Sequence, residues 1–184
     1  SNAKADKCAT APSIGGGTVG VWDPKSLTNS LNISSGTCGN VAARGPDAVY
    51  KFQATKGDIY RVQTHHDIQI DASVFIVGDC SKVASTCQAS GKTSAISSVD
   101  FHWKAPSSGT FYVIADTEDY RPSRPYEVRV EKVKVSCSPG NAICGAQPDA
   151  LSYCNALGEK RSHRCLDGCN SGRCNYPAGD RCID

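Results

Sequence analysis

Two features are missing from this 184-residue sequence: a long apolar stretch and an excess of charge of one sign. No apolar run approaches the roughly 20 residues that a helix needs to cross a bilayer, so we predict no membrane-spanning segment. The 20 Lys and Arg residues nearly balance the 18 Asp and Glu residues, which leaves a formal net charge of +2. Because nucleic-acid binding needs a concentrated basic face or stripe, this scattered and balanced charge argues against a nucleic-acid partner.

The common motifs of catalysis are missing as well. The sequence contains no Gly-x-Ser-x-Gly elbow, which would present a serine nucleophile on a strained turn, and no phosphate-binding loop. None of the four histidines lies in a recognisable sequence context with a serine or cysteine nucleophile. We therefore predict that the protein is not an enzyme, has no catalytic residues and needs no cofactor.

Cysteine, by contrast, is abundant. Eleven cysteines occur, none of them in a Cys-x-x-Cys pair, and this usage is typical of disulfide-bonded proteins from an oxidising compartment. We predict a secreted or cell-surface location. Since the number is odd, at least one cysteine has no partner within this chain.

Cysteine density divides the chain near Ser136, because four cysteines precede this residue and seven follow it. Residues 1–3, Ser-Asn-Ala, are typical of a scar left by an expression tag. We predict a β-sandwich over residues 4–136 and a cysteine-rich, disulfide-stapled module over residues 137–184. A stretch as short as the second buries too little apolar surface to fold without cross-links.

The first part has the pattern of an all-β fold. Apolar residues alternate with polar ones at period two, which indicates strands with one buried face. Such runs surround Phe52, Val62, Trp103, Phe111 and Val128. The segment 72–77 is apolar on both faces and should be a central strand. Short strands separated by glycine turns favour a jelly-roll-like antiparallel β-sandwich.

The four cysteines of the sandwich should pair among themselves. We predict a Cys8–Cys38 bridge and a Cys80–Cys87 bridge, because the six residues between Cys80 and Cys87 form a loop that one disulfide could close. We also predict that Phe111, which begins an alternating run, is buried.

The module should contain three disulfides, whose connectivity the spacing does not determine. They are predicted among Cys137, Cys144, Cys154, Cys165, Cys169 and Cys174. Cys182 would then be free or joined to another chain. A small hairpin is predicted between residues 150–155 and 161–165.

Candidate binding residues lie in a polar loop over residues 116–125. Asp116, Glu118 and Asp119 could supply part of the oxygen shell that calcium prefers, and Tyr120 and Arg121 are the candidates for contact with a sugar or peptide. The competing interpretation is that these residues cap turns or are solvated charges. On balance we expect calcium to stabilise the protein little.

Two other metal sites are less well supported by the spacing. His65 and His66 are neighbours on a predicted strand, so their side chains point to opposite faces and could not easily share one metal. A zinc site of His163 with Cys165, Cys169 and Cys174 departs from the usual ligand spacing.

Two segments resemble a known family. Residues 45–52 (Gly-Pro-Asp-Ala-Val-Tyr-Lys-Phe) and 109–116 (Gly-Thr-Phe-Tyr-Val-Ile-Ala-Asp) are similar to strands of bacterial pre-peptidase C-terminal domains, and the resemblance extends over residues 8–135. It implies a non-catalytic, jelly-roll-like sandwich of secreted bacterial proteins, some of which bind calcium or polymers such as collagen. Residues 137–174 resemble a six-cysteine repeat of large secreted bacterial proteins.

The leading functional interpretation is an extracellular accessory or binding module of a larger secreted bacterial protein, serving adhesion, substrate targeting or spacing. Its partners would be an extracellular polymer or protein and other domains of the same polypeptide. One alternative is a calcium-dependent carbohydrate- or protein-binding domain. Another, based on the cysteine-rich module alone, is a protease inhibitor.

Overall fold

The computed structural model divides the chain into two compact units, Ser1–Lys132 and Val133–Asp184. The residues that it describes are 7–31, 33–34, 36–39, 41–65, 72–93, 98–117, 126–134, 137, 142–145, 147, 149–165 and 168–174.

The first unit is a sandwich of two four-stranded antiparallel sheets. The first sheet contains, in spatial order, β1 (Gly20–Trp22), β8 (Tyr126–Lys132), β3 (Ile59–His65) and β6 (Asp100–Lys104). The second contains β2 (Ala48–Ala54), β7 (Gly109–Thr117), β4 (Ala72–Val77) and β5 (Cys87–Lys92). The orders 1-8-3-6 and 2-7-4-5 are those of a jelly roll, which confirms the predicted fold class.

Helical structure among the described residues is confined to connections between strands. Three short 3-10 turns cover Cys8–Thr10, Pro24–Ser26 and Cys80–Lys82. The one-turn helix α1 (Val83–Thr86) follows the last of these turns and leads into β5.

An aromatic cluster forms the centre of the core between the two sheets. Trp103 packs edge-on against Phe111 with ring centroids 4.8 Å apart, and Phe52 lies 6.0 Å from Trp103. Tyr60 completes the cluster. It lies on the first sheet with Trp103, whereas Phe52 and Phe111 lie on the second. Only 6% of Phe111 is exposed, so its predicted burial is confirmed. These residues occupy the apolar positions of the period-two runs, which explains why the pattern located them.

A second core lies on the outer side of the second sheet. Here Val49, Phe75 and Ile114 pack beneath Ile33 and Ala43, which come from the segment before β2. The second sheet is therefore covered on both faces. This arrangement explains why β4, which lies between β7 and β5, is buried at all six positions and confirms the prediction of a central strand.

The predicted pairing of the sandwich cysteines is wrong. The disulfides join Cys8 to Cys80 and Cys38 to Cys87, with Cα atoms 5.8 and 5.6 Å apart. Cys8 and Cys38 belong to the segments that cover the second sheet, whereas Cys80 and Cys87 flank the short helical connection after β4. Each bridge thus fastens the cover to the sheet, an arrangement that the short gap between Cys80 and Cys87 gave no reason to expect.

The second unit is a small disulfide-linked β-structure. Strand β10 (Ala150–Cys154) pairs with β9 (Ala142–Cys144) and with β11 (Lys160–Arg164), and β12 (Cys169–Asn170) pairs with β13 (Arg173–Cys174). The β10–β11 pair is the predicted hairpin, with β11 starting one residue earlier than expected.

Three disulfides link the second unit, as predicted. They are Cys137–Cys154, Cys144–Cys169 and Cys165–Cys174. Because a unit of this size buries few large apolar side chains, the bridges stabilise it chiefly by restricting its unfolded chain, at about 2–4 kcal/mol each. Cys182 lies outside the described residues.

Peptide mapping under non-reducing conditions is expected to recover these five cross-links. Thiol titration of the unfolded but unreduced protein should then find one reactive thiol at Cys182, or a dimer linked through it, because the other ten cysteines are paired. A cross-linked Cys80–Cys87 peptide would contradict the layered arrangement of the sandwich. Seven free thiols would contradict the arrangement of the module.

Candidate functional site

Two aspartates meet in the interior at one end of the second sheet. The register pairs Ala48 of β2 with Ala115 of β7, so Asp47, which precedes β2, lies opposite Asp116. Both residues are fully buried, and the Asp47 carboxyl group is near enough to raise the pKa of Asp116. A buried pair of acids is costly unless its oxygens find partners, so the surrounding donors matter.

Backbone N–H groups supply partners for one oxygen of each acid. Ser30 and Leu31 each donate their N–H to Asp47 Oδ2 at 2.7 Å, and Gly45 donates its N–H to Asp116 Oδ1 at 2.9 Å. A Cβ atom at position 45 would collide with the carbonyl oxygen of Thr117, so only glycine allows this close approach. The aspartates therefore fasten the segment before β2 to the end of β7.

A hydrogen bond between the carboxyl groups of Asp47 and Asp116 would require a proton. The other two oxygens, Asp47 Oδ1 and Asp116 Oδ2, are also buried. Two ionised carboxylates contain no donor, so a hydrogen bond between them requires that one acid be protonated. Burial is the main cause that raises the pKa of Asp116, and the neighbouring Asp47 carboxylate raises it further. Because a raised pKa favours the protonated acid, we predict that the pair holds a proton at neutral pH.

The predicted place of Asp116 in an exposed calcium-binding loop is wrong. Strand β7 extends to Thr117, so Asp116 lies inside the strand and faces Asp47. Backbone N–H groups of Ser30, Leu31 and Gly45 donate to this pair, so the two carboxyl groups hold neighbouring segments together in the interior. The other predicted ligand and binding residues lie outside the described part of the chain: Glu118, Asp119, Tyr120 and Arg121.

The histidine candidates do not assemble a metal site in the described residues. His65 ends β3 and is exposed, while His66 lies outside the described ranges. Around His163, Cys165, Cys169 and Cys174 are all committed to disulfides. Across the described residues, no cluster of three or more His, Cys, Asp or Glu side chains could hold a metal ion.

The outer face of the first sheet carries a network of polar side chains. Arg61 of β3 forms an ion pair with Asp100 of β6, and Gln63 donates to the same carboxylate at 3.2 Å. The hydrogen bond from Arg61 is the main cause that holds the pKa of Asp100 below its ordinary value. Arg129 lies across from Gln63 on β8. The face carries charges of both signs, which suits contact with a polar surface.

The described surface of the sandwich includes two open clefts. One has a volume of about 310 Å³ and is lined by Gln63, Thr64, His65, Ser98 and Arg129. The other, of about 330 Å³, runs along the outer edge of β2. Sequence reasoning missed both, because alternation shows which side chains point outward but not where neighbouring strands leave an edge uncovered. The run Gly15-Gly16-Gly17, beside the second cleft, was the one available signal of an unusual chain path.

Comparison with known proteins finds a match among solved structures. No protein-family model matches the sequence, and no curated protein matches it. Among solved structures, the chain is similar to the pre-peptidase C-terminal domain of a collagenase from Bacillus anthracis. The TM-score is 0.45 and the sequence identity is 16%, over 65% of this chain and 93% of that chain. Membership of either predicted family therefore stays a prediction. No described helix is long and apolar enough to span a bilayer.

Proposed function

We propose that this chain is a non-catalytic accessory module of a larger extracellular protein, which attaches or positions that protein on an extracellular polymer or protein. The proposal rests on one observation: the buried acids and the paired cysteines of the described residues hold the fold together. The buried acids Asp47 and Asp116 hold backbone N–H groups, and ten cysteines are bound in disulfides. The groups best suited to chemistry thus serve the scaffold.

The cross-linking pattern supports an extracellular setting. Five disulfides in one chain are typical of proteins that fold in an oxidising compartment. Two of them fasten loop segments to the sheet beneath, so the sandwich is a rigid body whose surface can serve for binding. The polar face around Arg61, Gln63 and Arg129 offers ion pairs and amide groups to which a polar polymer could bind.

A co-sedimentation experiment tests this proposal. The whole chain would be incubated with insoluble fibrillar collagen, cellulose, chitin and peptidoglycan, and the bound fraction and any soluble products would be measured. We expect retention on at least one polymer without release of peptides or sugars. The double variant Arg61→Glu, Arg129→Glu should reduce retention, whereas Lys82→Glu, at an exposed site on the helical connection after β4, serves as the control. Release of products by the chain itself, or retention on none of the polymers, would overturn the proposal.

Calcium is expected to leave the melting temperature unchanged relative to EDTA. Asp47 and Asp116 are fully buried and already accept backbone N–H groups from neighbouring segments. A ligand at 100 times its Kd would add about 2.7 kcal/mol to the free energy of unfolding, an easily measured upward shift. Such a shift with calcium would instead favour the calcium-dependent binding domain, with ligands drawn from Glu118 and Asp119.

A further inference from the structure

The cleft beside β2 opens where the edge of the second sheet is only partly covered. Strand β2 is the outermost strand of its sheet. The segment before β1 pairs with it in parallel at one residue only. There Ile14 donates its N–H to the carbonyl oxygen of Lys51 at 2.9 Å, and Lys51 donates its N–H to the carbonyl oxygen of Pro12 at 2.9 Å. The edge is thus occupied at Lys51.

The covering segment turns away immediately after this pairing. Gly15, Gly16 and Gly17 have φ angles of +111°, +60° and +93°, a region that other residues rarely adopt. A hydrogen-bonded turn then closes between Gly15 and Thr18. The glycines therefore end the parallel pairing after a single bridge and leave the next position on the edge uncovered.

That next position is Gln53. Successive residues of a strand direct their backbone groups to opposite edges, so Gln53 directs its N–H and C=O to the same side as Lys51. Gln53 is exposed, and its backbone has no partner on this side among the described residues. An uncovered N–H and C=O at a sheet edge are a template for another strand.

The walls of the cleft indicate what kind of strand it fits. Tyr60 and Val130, which are nearly fully buried, form an apolar floor. Lys51 and Lys132 lie at its rim. Lys132 forms an ion pair with Asp58 at 2.6 Å, whereas no described carboxylate pairs with Lys51. The rim therefore has one more positive charge than negative charge.

We propose that this cleft binds an extended acidic segment of a partner protein, which adds to β2 at Gln53 and places a carboxylate beside Lys51. Backbone hydrogen bonds would hold the segment, the apolar floor would receive one of its side chains, and the charge would select acidic sequences. This surface is separate from the polar face of the first sheet. Peptide binding at the cleft can therefore fail while polymer binding is observed, and polymer binding can fail while the peptide binds.

The test uses two peptides that differ only in charge: acetyl-Thr-Asp-Val-Asp-Val-Thr-amide and its counterpart with lysine in place of aspartate. Each would be titrated into the whole chain labelled with ¹⁵N, and amide shifts would be followed by NMR. We expect the acidic peptide to shift the amides of Gln53 and of residues 13–16 and to slow hydrogen exchange at Gln53. The lysine peptide should bind at least about tenfold more weakly, which corresponds to about 1.4 kcal/mol.

Two variants and one control make the result specific. Lys51→Glu should weaken the acidic peptide by about tenfold. Gln53→Pro removes the edge N–H, a change that an edge strand tolerates, and should abolish binding. Lys104→Glu, at an exposed position of β6 in the other sheet, should change nothing. The proposal is wrong if Gln53 is unaffected, if both peptides bind equally, if Lys51→Glu has no effect, or if the free protein protects Gln53 by self-association.

Discussion

Phe111→Ala is expected to lower the free energy of unfolding by about 3–5 kcal/mol, because the substitution removes a large ring from the closed core. The ring packs against Trp103 at 4.8 Å and against Phe52 at 6.2 Å. Disulfides restrict the unfolded chain but do not fill the space that the missing ring would leave, so they cannot compensate for this loss.

Urea unfolding followed by tryptophan fluorescence measures this effect, since Trp103 reports directly on the cluster. Thr110→Ala is the matched control on the same strand. Its side chain is exposed and accepts one hydrogen bond from Gln53 at 2.8 Å, so its loss should cost about 1 kcal/mol or less. If Phe111→Ala unfolds at the same urea concentration as the parent, the ring does not belong to the core and the assigned face of β7 is wrong.

The second large effect is a dependence of stability on pH that Asp116→Asn should remove. The pKa of Asp116 in the folded protein is raised by burial and by Asp47, while an aspartate in the unfolded chain has a pKa of about 3.9. Between these two values the folded state binds one more proton than the unfolded state. The stabilising contribution is therefore complete below the unfolded pKa and is lost as the pH rises towards the folded pKa, by about 1.4 kcal/mol per pH unit.

Denaturant unfolding at a series of pH values from about 5 to 8 measures this slope. Asn at position 116 can still accept from Gly45 and can donate to Asp47 without a titrating proton, so the variant should gain stability relative to the parent as the pH rises. Asp100→Asn is the control, because the pKa of Asp100 is lowered and its contribution is lost only as the pH falls below about 4. Parallel profiles for the parent and Asp116→Asn would show that the pair does not hold a proton.

Local pattern was sufficient for the strands and for the hairpin of the second unit. The period-two runs located β2, β3 and β7 because a half-buried strand requires alternation. The doubly apolar segment located β4 because both of its faces are covered. The β10–β11 hairpin was predictable since Asn155 lies at its turn, where its side chain accepts the N–H groups of Leu157 and Glu159 at 3.0 Å.

Local pattern failed where the deciding contact joins residues distant along the chain. Cys80 and Cys87 are close in sequence, yet each lies beneath a different covering segment and pairs with Cys8 or Cys38. The polar residues that follow Asp116 in the sequence predict an exposed loop at this position. The register of β7 with β2 and the approach of Gly45 place it in the interior beside Asp47.

By itself, the sequence determined an all-β jelly roll, a requirement for disulfides and the burial of Phe111, because each follows from periodicity or from cysteine density within a short window. Only the tertiary structure decided which cysteines pair, that Asp47 and Asp116 meet in the interior, and that β2 has an uncovered edge at Gln53. These features depend on which segments are brought together across tens of residues. That proximity is set by the packing of the two sheets and their cover, and no local pattern encodes it.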